Sequence, residues 1–299
     1  MNGARAWKAF EPRVLWIALF LLLIALFLPR LNLRHDTFEY IVFFDITQSM
    51  DVQDYEIDGR PVSRLDYARD SARRALRELP CGSRVGWGAF AEYRSLLLLA
   101  PVEVCGNYND LRASLDQIDG RMRWANASQV VRGAYWSART ALAEGSKPDV
   151  IFISDGQEAP PLNPAEPLSM PDDVRPGQVR GWIIGAGGDT PQRIPRSDAD
   201  GHRIGYWRAT DVVQLRTADG RGILGAEHLS ALREPHLQSI AARVGYSYAR
   251  LSEPDSIGAA MRDKRFVRRA TAPTDLYGIP VALAVLLLVL RFRPAANAP

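Results

Sequence analysis

An open α/β sheet, doubly wound and mostly parallel with one antiparallel edge strand, is what the middle of this chain predicts. Three observations carry that reading. Short uninterrupted apolar runs alternate with amphipathic segments of helical period, the order that builds a parallel sheet covered on both faces. Residues 85–90 and 95–100 are two strand-like runs around the turn Glu92-Tyr93-Arg94, a hairpin that supplies the antiparallel edge. The composition is that of an ordinary globular chain: 299 residues, 47% hydrophobic and 24% charged. It excludes collagen-like, disordered and multispanning classes.

In order along the chain, residues 39–44 (EYIVFF) read as a central strand buried on both faces. In 64–79, Leu65, Ala68, Ala72, Leu76 and Leu79 share one helical face. The hairpin follows, then a shorter helix around 108–118. Across 128–143, Val131, Ala134, Tyr135, Ala138 and Leu142 recur at helical spacing, and Gly145 stops the helix. Residues 149–153 and 181–184 are further buried strands. Leu237, Ile240, Ala241 and Val244 mark a helix leading into a strand at 246–251. Two stretches lack periodicity, the proline-rich 157–180 and the Gly-, Asp- and Arg-rich 189–225. They are expected as surface loops and a small hairpin insertion.

The ends differ from the middle. Residues 14–29 (VLWIALFLLLIALFLP) and 276–290 (LYGIPVALAVLLLVL) carry no charge and are closed by arginines. Both read as transmembrane helices, short of the roughly 20 residues that span comfortably but extendable by snorkelling arginines. No small-residue cleavage pattern follows the first run, so an uncleaved anchor is expected rather than a signal peptide. The chain then divides into an N-terminal tail at 1–13, a helix at 14–29, a domain at 36–270, a helix at 276–290 and a tail at 291–299. Arg5, Lys8 and Arg13 place the N-terminus in the cytoplasm. The basic cluster Arg262, Lys264, Arg265, Arg268 and Arg269 votes the other way, but the first helix usually dominates. The domain is therefore placed on the outer face of a bacterial inner membrane, in the periplasm.

The 37 Lys+Arg and 34 Asp+Glu leave a net charge of +3, which argues against nucleic-acid binding. Two cysteines cannot make a four-ligand zinc site. A hairpin centred on residue 93 sets Cys81 opposite Cys105, within bridging distance; free buried thiols are the alternative. The four histidines fall in no ligand spacing.

Ligands of open α/β sheets bind beyond the carboxyl ends of the strands, where the strand order reverses. Directly after the first strand stand Asp45-Ile46-Thr47-Gln48-Ser49; directly after a later one, Ser154-Asp155-Gly156. Ser128 opens the helix between them. If those strands are neighbours, Asp45, Thr47, Ser49, Ser128 and Asp155 converge on one edge. Carboxylates and hydroxyls without His or Cys form a hard-oxygen site for Mg²⁺, Mn²⁺ or Ca²⁺. The acidic run Asp51, Asp54, Glu56, Asp58 reads as a solvated loop.

This D-x-[ST]-x-S after a buried strand, with a hydroxyl residue opening a helix and D-G after a later strand, resembles the von Willebrand factor A domain over roughly residues 38–252. The resemblance implies a metal-ion-dependent adhesion site. Thr47, Ser49 and Ser128 would offer hydroxyls to the metal, with Asp45 and Asp155 acting largely through waters. Thr47 stands where the motif has its first serine and Ser128 where it has threonine, and both keep the hydroxyl. The implied function is a carboxylate-capturing hook: a partner protein's Asp or Glu completes the metal's coordination, with no catalysis. The chain is similar to aerotolerance-operon and methanol-oxidation-cluster members of the family, which implies partnership with MoxR-type AAA+ ATPases in assembling or maturing periplasmic enzymes. Two alternatives stand beside it. One is a metal-independent scaffold. The other is a haloacid-dehalogenase-like phosphatase with Asp45 as nucleophile, in which the second Asp of D-x-D would be replaced by Thr47.

Overall fold

The computed structural model describes residues 3–29, 31–162, 173–217, 222–274 and 276–292. Parts of both aperiodic stretches, and positions 293–299 of the expected C-terminal tail, lie outside them. In chain order the elements are α1 (Gly3–Phe27), β1 (Leu31–Thr37), β2 (Glu39–Asp45), β3 (Tyr55–Ile57), β4 (Arg60–Val62) and α2 (Arg64–Glu78). Next come β5 (Arg84–Ala91), β6 (Arg94–Glu103), α3 (Tyr108–Asp116), α4 (Val130–Ala143), β7 (Asp149–Ser154) and β8 (Gly181–Gly185). Four short strands follow, β9 (Gln192–Arg193), β10 (Pro195–Ser197), β11 (Arg203–Tyr206) and β12 (Leu229–Ser230). The chain continues with α5 (Glu234–Val244), β13 (Ser247–Arg250), α6 (Ser256–Met261), β14 (Arg268–Thr274) and α7 (Gly278–Arg291). It divides into two compact units, Asp36–Arg269 and the paired ends Met1–His35 with Ala270–Pro299.

The larger unit is a six-stranded sheet in the order β6-β5-β2-β7-β8-β13. Its strands are parallel except β6, which returns antiparallel along β5. β2 is buried along its whole length, and its side chains alternate between two cores. Tyr40, Val42 and Phe44 pack with α2, α3 and α6 on one face. Ile41 and Phe43 pack with α4 and α5 on the other. A strand of period two sandwiched this way needs apolar residues at every position, hence its uninterrupted sequence.

Local signals set the helix ends. Ser63 caps α2 by accepting the Asp66 N–H at 3.0 Å. Pro235 begins α5, and Gly245 ends it in the left-handed conformation, φ 81°. α6 and the hairpin β3–β4 are too short for periodicity to show.

The hairpin β5–β6 carries two register irregularities between Val85 and Gly88, yet Cys81 and Cys105 are joined as a disulfide. The bridge closes a loop of sequence separation 24. Replacing both cysteines with serine is expected to lower stability by about 2–4 kcal/mol through the freed unfolded chain. Thermal melts check this: reductant lowers the wild-type midpoint and leaves the double variant's unchanged.

In the smaller unit α1 and α7 pack on each other, and the residues buried along them include Ala18 and Ala284. Such small side chains let helices approach closely. Large apolar side chains face outward, among them Trp16, Phe20, Leu26, Phe27, Ile279 and Val289. The expected transmembrane helices at 14–29 and 276–290 are corrected here: among the described residues, no helix is long and apolar enough to cross a membrane. The reason is length. α7 has 14 residues, about 21 Å at 1.5 Å each, against a hydrocarbon core of about 30 Å. The apolar part of α1 from Val14 onward is of similar reach.

Candidate metal centre

β2 and β7 are neighbours, with Phe44 paired to Ile153, and they flank the reversal of strand order. The chain leaves β2 toward β5 on one side and β7 toward β8 on the other. Their C-terminal loops therefore diverge and leave a crevice.

Asp45 is fully buried at the end of β2. Its Oδ1 accepts the Thr47 backbone N–H at 2.9 Å and the Thr47 hydroxyl at 2.6 Å. Its Oδ2 accepts the Ser154 hydroxyl at 2.6 Å. Burial, then the nearby charge of Asp155, push its carboxyl well above the ordinary range. Beyond Thr47 the chain enters a 3-10 turn, Gln48–Asp51, which brings the Ser49 hydroxyl within 3.2 Å of the Thr47 hydroxyl.

Ser128 does not open α4 as expected. It lies before the helix in a short extended segment, exchanging backbone hydrogen bonds with Ala159 at 2.8 and 2.7 Å. The cap comes from elsewhere: the Glu158 carboxylate accepts the N–H groups of Val130 and Val131. The Ser128 hydroxyl is buried and finds no hydrogen-bond partner among the described residues.

Thr47, Ser49 and Ser128 line one cavity of about 250 Å³. Asp45 sits behind them through its bond to Thr47. Asp155 is held differently. Its Oδ1 accepts the Gln157 N–H, and its Oδ2 accepts Arg64 Nη1 and the Ser230 hydroxyl, both at 2.7 Å. Arg64, fully buried, also clamps Asp54 through Nε and Nη2. The acidic run after the motif is accordingly not all solvated: Asp54 holds Arg64, and Asp51 pairs with Arg123 at 2.9 Å.

The donor set fits a hard divalent cation. A hydroxyl that gives its proton to a carboxylate, as Thr47 does, turns its lone pairs away from that carboxylate. The unpartnered Ser128 oxygen would cost about 1–3 kcal/mol if nothing met it. Thr47, Ser49 and Ser128 would hold Mg²⁺, Mn²⁺ or Ca²⁺, which would supply a positive charge for a partner's carboxylate.

The aperiodic segment 189–225, expected as surface loop with a small hairpin insertion, does carry antiparallel pairing. It folds into the pairs β9–β12 and β10–β11 and supplies cavity wall, including Ile194, Trp207 and Val212. The Trp207 indole N–H donates to Gln48 Oε1, inside the motif itself. Arg64 did leave a trace in the sequence: it lies at helical spacing from Ala68, Ser71 and Ala75 on the buried stripe of α2. His202 lies exposed on the insertion beside Asp198 and Asp200.

No family model matches the chain, and no curated protein matches it. Solved structures do. An aerotolerance-related membrane protein from Bacteroides fragilis aligns with a TM-score of 0.52 at 17% identity, over 76% of this chain and 98% of that one. A von Willebrand factor type A structure from Catenulispora acidiphila aligns at 0.41 and 12% identity, over 76% of this chain and 41% of that one. The chain shares the fold of the aerotolerance-related structure. A membrane-spanning protein from Vibrio fischeri also aligns, at 0.30 and 19% identity, over 75% of this chain and 94% of that one. Within this fold, the sheet edge bearing Asp45, Thr47 and Ser49 is where the cavity opens.

Proposed function

We propose that this chain is a membrane-attached protein-binding module whose A-type domain captures an acidic residue of a partner through a divalent cation. The observation that carries the reading is the Ser128 hydroxyl, buried without a partner among the described residues on a cavity shared with Thr47 and Ser49. A buried polar atom needs a partner, and three hydroxyls around one cavity suit a hard cation. Such a site keeps open positions for a ligand oxygen, and Mg²⁺ prefers carboxylates. No nucleophile with a free oxygen is required, and both oxygens of Asp45 are already engaged.

Membrane attachment rests on the outward apolar side chains of α1 and α7, an exposure that soluble surfaces rarely carry. The aerotolerance-related neighbour is described as a membrane protein. The disulfide suits an oxidising compartment, hence the periplasmic face of a bacterial inner membrane. The resemblance to aerotolerance-operon proteins extends the reading to work beside a MoxR-type ATPase in assembling or maturing periplasmic complexes. Crosslinking and pulldown from membranes tests it. A partner is expected with Mg²⁺ and lost in chelator; the same partner retained in chelator would overturn the metal dependence.

A further inference from the structure

The cavity has two unlike sides. Its lining joins the hydroxyl residues Thr47, Ser49 and Ser128 to the aliphatic Ile194, Val212 and Val213 contributed by the insertion. Nothing in carboxylate capture requires an aliphatic wall. The wall is also fixed in place. Trp207 donates from its indole N–H to Gln48 Oε1, and Gln48 Nε2 donates to Asn126 Oδ1 at 3.0 Å. The insertion is thereby tied to the residue between Thr47 and Ser49, and its backbone is closed by Trp207 N–H to the Ile194 carbonyl at 3.1 Å. A pre-formed wall selects its ligand without an ordering cost at binding.

Two acids stand on the same rim. Glu227 accepts the Gln157 amide at 2.8 Å and pairs with Arg233. Asp211 is exposed, held by the Arg208 N–H at 3.3 Å. A second acidic group arriving beside the captured one meets the exposed Asp211 carboxylate. The cavity, about 250 Å³, is below the roughly 300–1,000 Å³ of small-molecule sites. It has room for side chains, not for a folded element.

We propose that the insertion makes the cavity selective for a single Asp or Glu of a partner protein flanked by aliphatic residues, and selective against an acidic run. Aliphatic neighbours bury against Ile194, Val212 and Val213, while an additional acid is repelled by the exposed Asp211. This rests on the metal-dependent carboxylate reading above and adds the chemistry that surrounds the carboxylate.

Calorimetric titration of the full-length chain with three short synthetic peptides tests it. One has a single Glu between Leu and Val, one has the same Glu between glycines, and one has three consecutive Glu. With Mg²⁺, the aliphatic-flanked peptide is expected to bind about tenfold more tightly than the glycine-flanked one, the worth of a small apolar contact. The triple-Glu peptide is expected to be the weakest. The double change Val212→Ser with Val213→Ser, at positions open enough to be tolerated, should remove the aliphatic preference and leave the glycine-flanked peptide's affinity unchanged. Trp207→Phe, which keeps a ring and loses the N–H, should narrow the preference. Equal affinity for the aliphatic- and glycine-flanked peptides would overturn the proposal and leave the carboxylate reading standing. Failure of both to bind, or binding indifferent to chelator, would overturn the metal reading and this proposal with it.

Discussion

Replacing Arg64 with leucine is expected to destabilise the larger unit by about 3–5 kcal/mol, because it leaves buried carboxylates without their cation. Asp155 is fully buried and Asp54 nearly so, and the one guanidinium answers both. For a domain of this size the loss corresponds to a fall in melting temperature of roughly 6–20 °C. Asp155→Asn added to Arg64→Leu should recover part of it, because a neutral amide is cheaper to bury than an unpaired charge. Thermal denaturation of the two single variants and the double variant reads the coupling. Strict additivity of the two changes would show that Arg64 acts only through its packing. Arg64→Lys should fall between, since an ammonium cannot hold Asp54 and Asp155 with the spread donors of a guanidinium.

The second large effect is on metal binding. Asp45→Ala with Ser49→Ala removes the carboxylate that accepts the Thr47 hydroxyl proton and one of the three cavity hydroxyls. Loss of a group that only orients a ligand costs about 10–100-fold in metal affinity, and loss of a ligand as well costs more. A drop beyond about 100-fold is therefore expected. The wild-type melting temperature should rise with added Mg²⁺, as for any ligand that binds only the folded state, and the variant's should not. An unchanged Mg²⁺ response in a folded variant would place the cation elsewhere, and the scaffold reading would then stand.

The parts of this molecule that follow from local pattern were readable. β2 shows as EYIVFF because both its faces are covered, and α2 shows through Leu65, Ala68, Ala72 and Leu76. The Cys81–Cys105 bridge followed from hairpin geometry even though two irregularities shift the register. That Thr47 and Ser49 cluster beside Asp45 was legible because the three are close together in the chain. Ser128 was placed at a helix start, whereas its backbone pairs with Ala159 and Glu158 supplies the cap. A cap contributed from a distant loop leaves no signature in the sequence around the helix it caps. Asp155 was read as a partner of the metal alone, while a guanidinium from α2 occupies one of its oxygens.

The sequence by itself determined the six strands of the central sheet, its major helices, the β5–β6 hairpin and the residues at the strand ends, because each depends on side chains close together in the chain. Only the tertiary structure decided that β2 and β7 are neighbours, that Arg64 bridges Asp54 and Asp155, and that an aperiodic insertion walls the cavity. These depend on which segments are brought together by burying both faces of the sheet. That choice is made by the whole core, and no short window of residues encodes it.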